Sequence, residues 1–186
     1  MCRRIYAKHK QALDLIYEHR PDRQQTVREL LEVWIKQNPE LELDHCSKSN
    51  IRFISKRLDT DVLKQGSGWT SSGRILLFEA SNSEDHVTVR VVIGPGPLET
   101  RRKLFEMAHA KQPPFKPFSK FYDRWNTILA HKLITAKAYD LHDDDFKAEL
   151  EKQWKRFVEK ELPTIVNAID EASWMHDHPD SSSRTA

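Results

Sequence analysis

The sequence predicts an α+β fold in which an antiparallel sheet of three to four strands packs with an N-terminal helical pair and a long C-terminal helix. Three observations carry this expectation. Apolar residues recur at intervals of three and four up to Gln37 and again from Phe146 to Leu162. Between Ile51 and Ile93 the period drops to two, and the polar stretch Ser81-Asn82-Ser83-Glu84-Asp85 separates two strand-like runs as a hairpin connection would. The 186 residues suit one domain with a substantial core better than two small ones, so residues 1–175 are read as one α+β domain and 176–186 as a disordered tail without apolar content.

In order along the chain, Ile5, Ala12, Leu15 and Ile16 form one stripe of a first helix, roughly Arg4 to His19. Pro21-Asp22 opens a second helix carrying Val27, Leu30, Leu31, Trp34 and Ile35, and Asn38-Pro39 stops it near Gln37. Ile51-Arg52-Phe53 reads as a half-exposed strand that continues to Lys56. The run from Arg74 to Ala80 is apolar at its centre, as in an interior strand. In the next strand Val87, Val89, Val91 and Ile93 alternate with Thr88, Arg90 and Val92. Gly94-Pro95-Gly96-Pro97 ends that strand and Leu98 to Ala110 is helical. A fourth strand is expected from Lys132 to Tyr139. Asp143-Asp144-Asp145 then starts a long helix that Pro163 bends and that ends near Trp174.

Composition narrows the function. No run approaches the roughly 18 to 20 apolar residues of a membrane span, and the first residues are charged, so no membrane association and a cytoplasmic location are expected. Cys2 and Cys46 alone cannot build a disulfide framework. The net charge of +2 hides a gradient: residues 50–139 hold 15 Lys/Arg against 8 Asp/Glu, whereas residues 140–186 hold 6 against 12. A basic centre fits an anionic partner such as nucleic acid, and it equally fits two faces that attract each other within one fold.

The search for chemistry finds few motifs. The loop after Ile93 leads into a helix carrying Arg101 and Arg102, but Pro95 and Pro97 remove amides a phosphate would need, so it is read as a turn whose arginines face solvent or a nucleic-acid backbone. His176-Asp177-His178, with His142, has the composition of a metal site without a rigid frame to organise it, and neither a metal nor a cofactor is expected. No serine or cysteine sits in a nucleophile motif. The segment from Lys111 to Trp125 interleaves Phe115, Phe118, Phe121 and Trp125 with lysines, which suits unpaired nucleic acid. Spacings of three and four also suit packing onto a core.

Taken together, Tyr6-Ala7-Lys8-His9-Lys10, Ile51-Arg52-Phe53, Gly68-Trp69-Thr70 leading into Leu76-Leu77-Phe78-Glu79, and Val92-Ile93-Gly94-Pro95-Gly96 with Arg101 resemble the carboxy-terminal part of large PD-(D/E)XK nuclease superfamily proteins of bacteria and phages. The resemblance spans roughly residues 6–160. It implies that the nuclease chemistry, an acidic residue and a Glu-x-Lys element around a divalent metal, lies upstream of this region. Pro21-Asp22 opens a helix, Glu79 is followed by Ala80-Ser81, and Asp145-Phe146-Lys147 starts a helix, so none of these supplies the metal-binding strand pair.

The chain is therefore expected to be a noncatalytic accessory or binding domain of a nuclease-type system, contacting DNA or a nuclease subunit. Charge and strand parity select Arg52, Lys56, Arg90, Arg101, Arg102, Lys103, Lys120 and Arg124 as contact residues. Two other readings stay open. One is a metal-dependent nuclease in which Asp22, Glu79, Glu84 and Asp85 converge, and the other is a protein-binding module using the helical pair.

Overall fold

In the computed structural model, which describes residues 2–18, 22–172 and 174, helix α1 (Cys2–Glu18) precedes α2 (Arg23–Gln37). Asp22 caps α2 by accepting a hydrogen bond from the Gln25 amide at 3.0 Å, and Asn38 closes it, as the sequence predicts. Val27, Leu31 and Ile35 of α2 are fully buried. Ile5, Leu13 and Leu15 of α1 are exposed, and among the described residues the core takes side chains of α2 and none of α1.

The sheet has five strands, not three or four, in the order β1 (Leu41–Cys46), β2 (Asn50–Ser55), β3 (Leu76–Asn82), β4 (Val87–Ile93) and β5 (Asn126–Ile134), every neighbouring pair antiparallel. The additional strand is β1. Its Leu41 and Leu43 alternate with charged residues, a half-buried edge pattern that short polar sequences share. The last strand ends earlier than expected, and Ala136–Tyr139 forms a short helix, α4, instead. The pairing of β4 with β5 shifts register between Val87 and Thr88 and between Val91 and Val92.

One face of the sheet carries Ile51, Phe53, Phe78, Ala80, Val89 and Val91. Helix α5 (Asp143–Arg156) and the turn that follows it cover this face: Trp154 meets Phe53 edge-on at 5.6 Å between ring centres, and Phe157 meets Phe78 at 6.5 Å. Where Pro163 cannot donate, the chain widens into a π-turn over Phe157–Glu161 before α6 (Leu162–Asp170) resumes. The bend expected at Pro163 is thus taken up just ahead of it. Helix α3 (Leu98–Ala110) follows β4 as predicted. The expected tail, 176–186, with its two histidines, lies outside the described residues.

The connection between β2 and β3 is held by one buried cation. Arg74 donates to Asp59 Oδ1 at 2.7 Å, to Asp44 Oδ2 at 2.9 Å and to Glu42 Oε1 at 2.5 Å, tying edge strand β1 to that connection. Asp44 is the extra residue of a bulge in β1, and its side chain is 1% exposed. Arg74 also holds the Asp59 carboxyl below its ordinary value of about 3.8.

Replacing Arg74 with methionine leaves buried Asp44 without its cation, and a loss of about 3–5 kcal/mol in urea unfolding is expected. Because the folded-state value of Asp59 lies below the unfolded one, its contribution is complete above about pH 4 and is lost as the pH falls through the folded value. Arg74→Met should therefore lose less stability than the wild type across that acid window. An equal loss would show that Arg74 does not hold the carboxylate.

Candidate nucleic-acid interface

The face of the sheet away from α5 carries the opposite parity: Asn50 and Arg52 on β2, Glu79 on β3, Arg90 and Val92 on β4, Thr127 on β5. Together with Gly68, Trp69 and Trp125 these residues line a cleft of about 500 Å³. Register places Arg52 opposite Glu79 and Glu79 opposite Arg90, so the three form one row across the strands. Arg52 donates through Nε to Glu79 Oε2 at 2.7 Å and sits 5.3 Å from the Trp69 ring centre. Trp69 and Trp125 meet edge-on at 5.0 Å.

Close backbone approach positions these indoles. A Cβ on Gly94 would fall 2.0 Å from Cε3 of Trp69, so the ring lies where any other residue would place a side chain. Likewise, a Cβ on Gly96 would fall 2.4 Å from Cγ2 of Ile75. The Gly-Trp and Ile-Gly-Pro-Gly elements of the sequence therefore meet each other in space. Arg101 completes the arrangement: it is 3% exposed and donates through Nε to the Gly94 carbonyl at 2.8 Å and through Nη2 to the Tyr122 carbonyl at 3.0 Å. Burial works against its charge and nearby Asp123 supports it. Asn126 bonds both the amide and the carbonyl of Tyr122, each at 2.8 Å.

The segment after α3 runs on from the cleft. Phe115 is buried and Phe121 half-buried, while Phe118, Tyr122 and Trp125 are 65%, 49% and 41% exposed. It thus does both things its spacing allowed, anchoring through two rings and presenting three. Lys120 lies 5.5 Å from the Tyr122 ring centre, and exposed Arg102 lies 5.3 Å from that of Phe121.

The predicted contact residues divide accordingly. Arg90, Arg102, Lys120 and Arg124 lie in the cleft or along the aromatic segment. Arg52 lines the cleft but is paired with Glu79. Arg101 does not face solvent, because two carbonyls claim its guanidinium. Lys56 is not on the sheet face: β2 ends at Ser55, and Lys56 begins a 3-10 turn and bonds the Pro39 carbonyl at 2.6 Å. Lys103 pairs with Glu99 on the surface of α3. Sequence reasoning did not select Asn50, Trp69 or Tyr122, and it weighed Glu79 only as a metal-binding carboxylate and Trp125 only as one ring of the aromatic segment. Glu79 shares outward parity with Arg90 once the β3–β4 hairpin is in register, and that signal was available.

Asp22, Glu79, Glu84 and Asp85 have separate settings: Asp22 caps α2 and pairs with Lys48, Glu79 faces Arg52, and Glu84 and Asp85 lie in the β3–β4 turn, where Asp85 meets His86. Among the described residues no three His, Cys, Asp or Glu side chains gather as a metal site, and no helix is long and apolar enough to cross a membrane.

Comparison with family models, curated proteins and solved structures finds no match. The cleft must be read from its own chemistry.

Gly94→Ala would drive the new methyl into the Trp69 ring. A loss of about 1–3 kcal/mol in denaturant unfolding is expected, together with a changed near-ultraviolet tryptophan spectrum. An unchanged spectrum would contradict the packing described.

Proposed function

We propose that this chain is a noncatalytic DNA-binding domain that holds an unpaired strand along the cleft and the 116–125 segment. The observation that carries the reading is the continuity of exposed rings and cations: Trp125 forms the wall of the cleft that contains Arg90 and also ends the segment that presents Tyr122, Lys120 and Phe118. Bases stack on aromatic faces without regard to sequence, and cations along the path neutralise phosphates. A concave cleft of this size favours a single unstacked base over a duplex, whose grooves are read by protruding helices or ribbons.

The setting in a nuclease-type system is supported by the sequence resemblance: of its two distinctive elements, Gly68-Trp69 lines the cleft and Gly94 of Gly94-Pro95-Gly96 lies against the Trp69 ring. In that setting this domain positions a strand for a nuclease that supplies the metal chemistry.

The test is binding of labelled single- and double-stranded DNA at about 50 and 200 mM salt, with magnesium added to look for cleavage. With phosphates met by Arg102, Lys120 and Arg124, the single-strand salt slope is expected near −2, or about a 20-fold loss of affinity over that range. Lys120→Ala with Arg124→Ala should reduce the slope by about 1.4. Tyr122→Ala should weaken binding about tenfold with the slope unchanged. Salt-insensitive behaviour would point to a protein partner, and magnesium-dependent cutting to the distant carboxylates.

A further inference from the structure

The cleft holds an acceptor, Glu79, and a donor, Arg90, side by side, and neither is fully engaged by the described residues. Arg52 reaches Glu79 through Nε at Oε2, and no hydrogen bond among the described residues uses Glu79 Oε1. Arg90, the next residue in the same row, makes no hydrogen bond or ion pair among the described residues, although it is half-buried. A half-buried guanidinium without a partner is costly unless a ligand or water meets it. Beyond Arg90 the row ends at Ala130 on β5, whose small, exposed side chain leaves that end open.

We infer that this cleft selects guanine, an inference that rests on the single-strand reading above. Guanine presents two adjacent donors, N1–H and the N2 amino group, beside two adjacent acceptors, O6 and N7. A carboxylate beside a guanidinium is the matching set: Glu79 accepts from the donor edge and Arg90 donates to the acceptor edge. Adenine alternates donor and acceptor along the edges it offers, cytosine sets a single donor beside its two acceptors, and thymine places one N–H between two carbonyls, so none offers two adjacent donors to the carboxylate and two adjacent acceptors to the guanidinium. The Trp69 and Trp125 indoles supply the apolar wall against which the base stacks. The arrangement reads the base edge, whereas Arg102, Lys120 and Arg124 along the segment meet phosphates and carry no sequence information.

The experiment compares labelled oligothymidylates of equal length that carry guanine, adenine, cytosine or hypoxanthine at one central position, by fluorescence anisotropy at low salt. The guanine strand is expected to bind about tenfold more tightly than the adenine or cytosine strand, because a good bidentate contact discriminates by that order. Hypoxanthine, which lacks the N2 amino group, should fall between. Glu79→Gln should bring the guanine-to-adenine ratio close to one. Equal, salt-sensitive binding of all four strands by the wild-type chain would overturn the guanine assignment and leave the single-strand reading standing. No binding of any strand would overturn both.

Discussion

The guanidinium of Arg101 holds two backbone carbonyls that belong to distant parts of the chain, Gly94 at the end of β4 and Tyr122 ahead of β5. Those two points frame the cleft. Gly94 is the floor on which the Trp69 ring lies, and Tyr122, clamped also by Asn126, fixes the segment that leads to Trp125. Removing the guanidinium would leave the buried Gly94 carbonyl without this donor, and each such loss costs on the order of 1–3 kcal/mol. The wall of the cleft is therefore maintained by a cation that is itself buried.

Arginine does three different things in this basic stretch. Arg74 neutralises carboxylates from β1 and from the β2–β3 connection, and its environment raises its affinity for the proton further. Arg101 serves carbonyls, with burial opposing its charge. Arg90 alone of these three points its charge at neither. The net +7 of residues 50–139 is thus partly consumed in holding the fold.

This division explains what could be read from the sequence. Helix α2, helix α3 and the β3–β4 hairpin were legible because caps, proline stops and clean alternation each specify one local structure. Strand β1 was not, since its alternation is short and its charged residues answer to Arg74, which lies 30 residues beyond Asp44. Lys56 was placed by parity on a strand that had already ended. Arg101 was given to solvent because sequence shows a helix start but not the two carbonyls brought against it by a loop and a later segment. Of the candidate site, Arg90 followed from parity alone; Glu79, weighed in the sequence only as a metal ligand, joins the arginine row through register, and Trp69 joins the cleft through its contact with Gly94.

The account turns on whether the sheet face bearing Arg90 is where a strand binds, and the chain carries its own reporters. Of its five tryptophans, Trp69 and Trp125 line the cleft, whereas Trp34 and Trp154 line a separate groove between α2 and α5. The most direct measurement is a titration of the isotopically labelled protein with single-stranded DNA, following the indole N–H signals by two-dimensional nuclear magnetic resonance. The Trp69 and Trp125 signals are expected to shift together and saturate, with Trp34 and Trp154 unmoved. Saturable shifts confined to Trp34 and Trp154, or none at Trp69 and Trp125, would contradict the placement of the interface on this face.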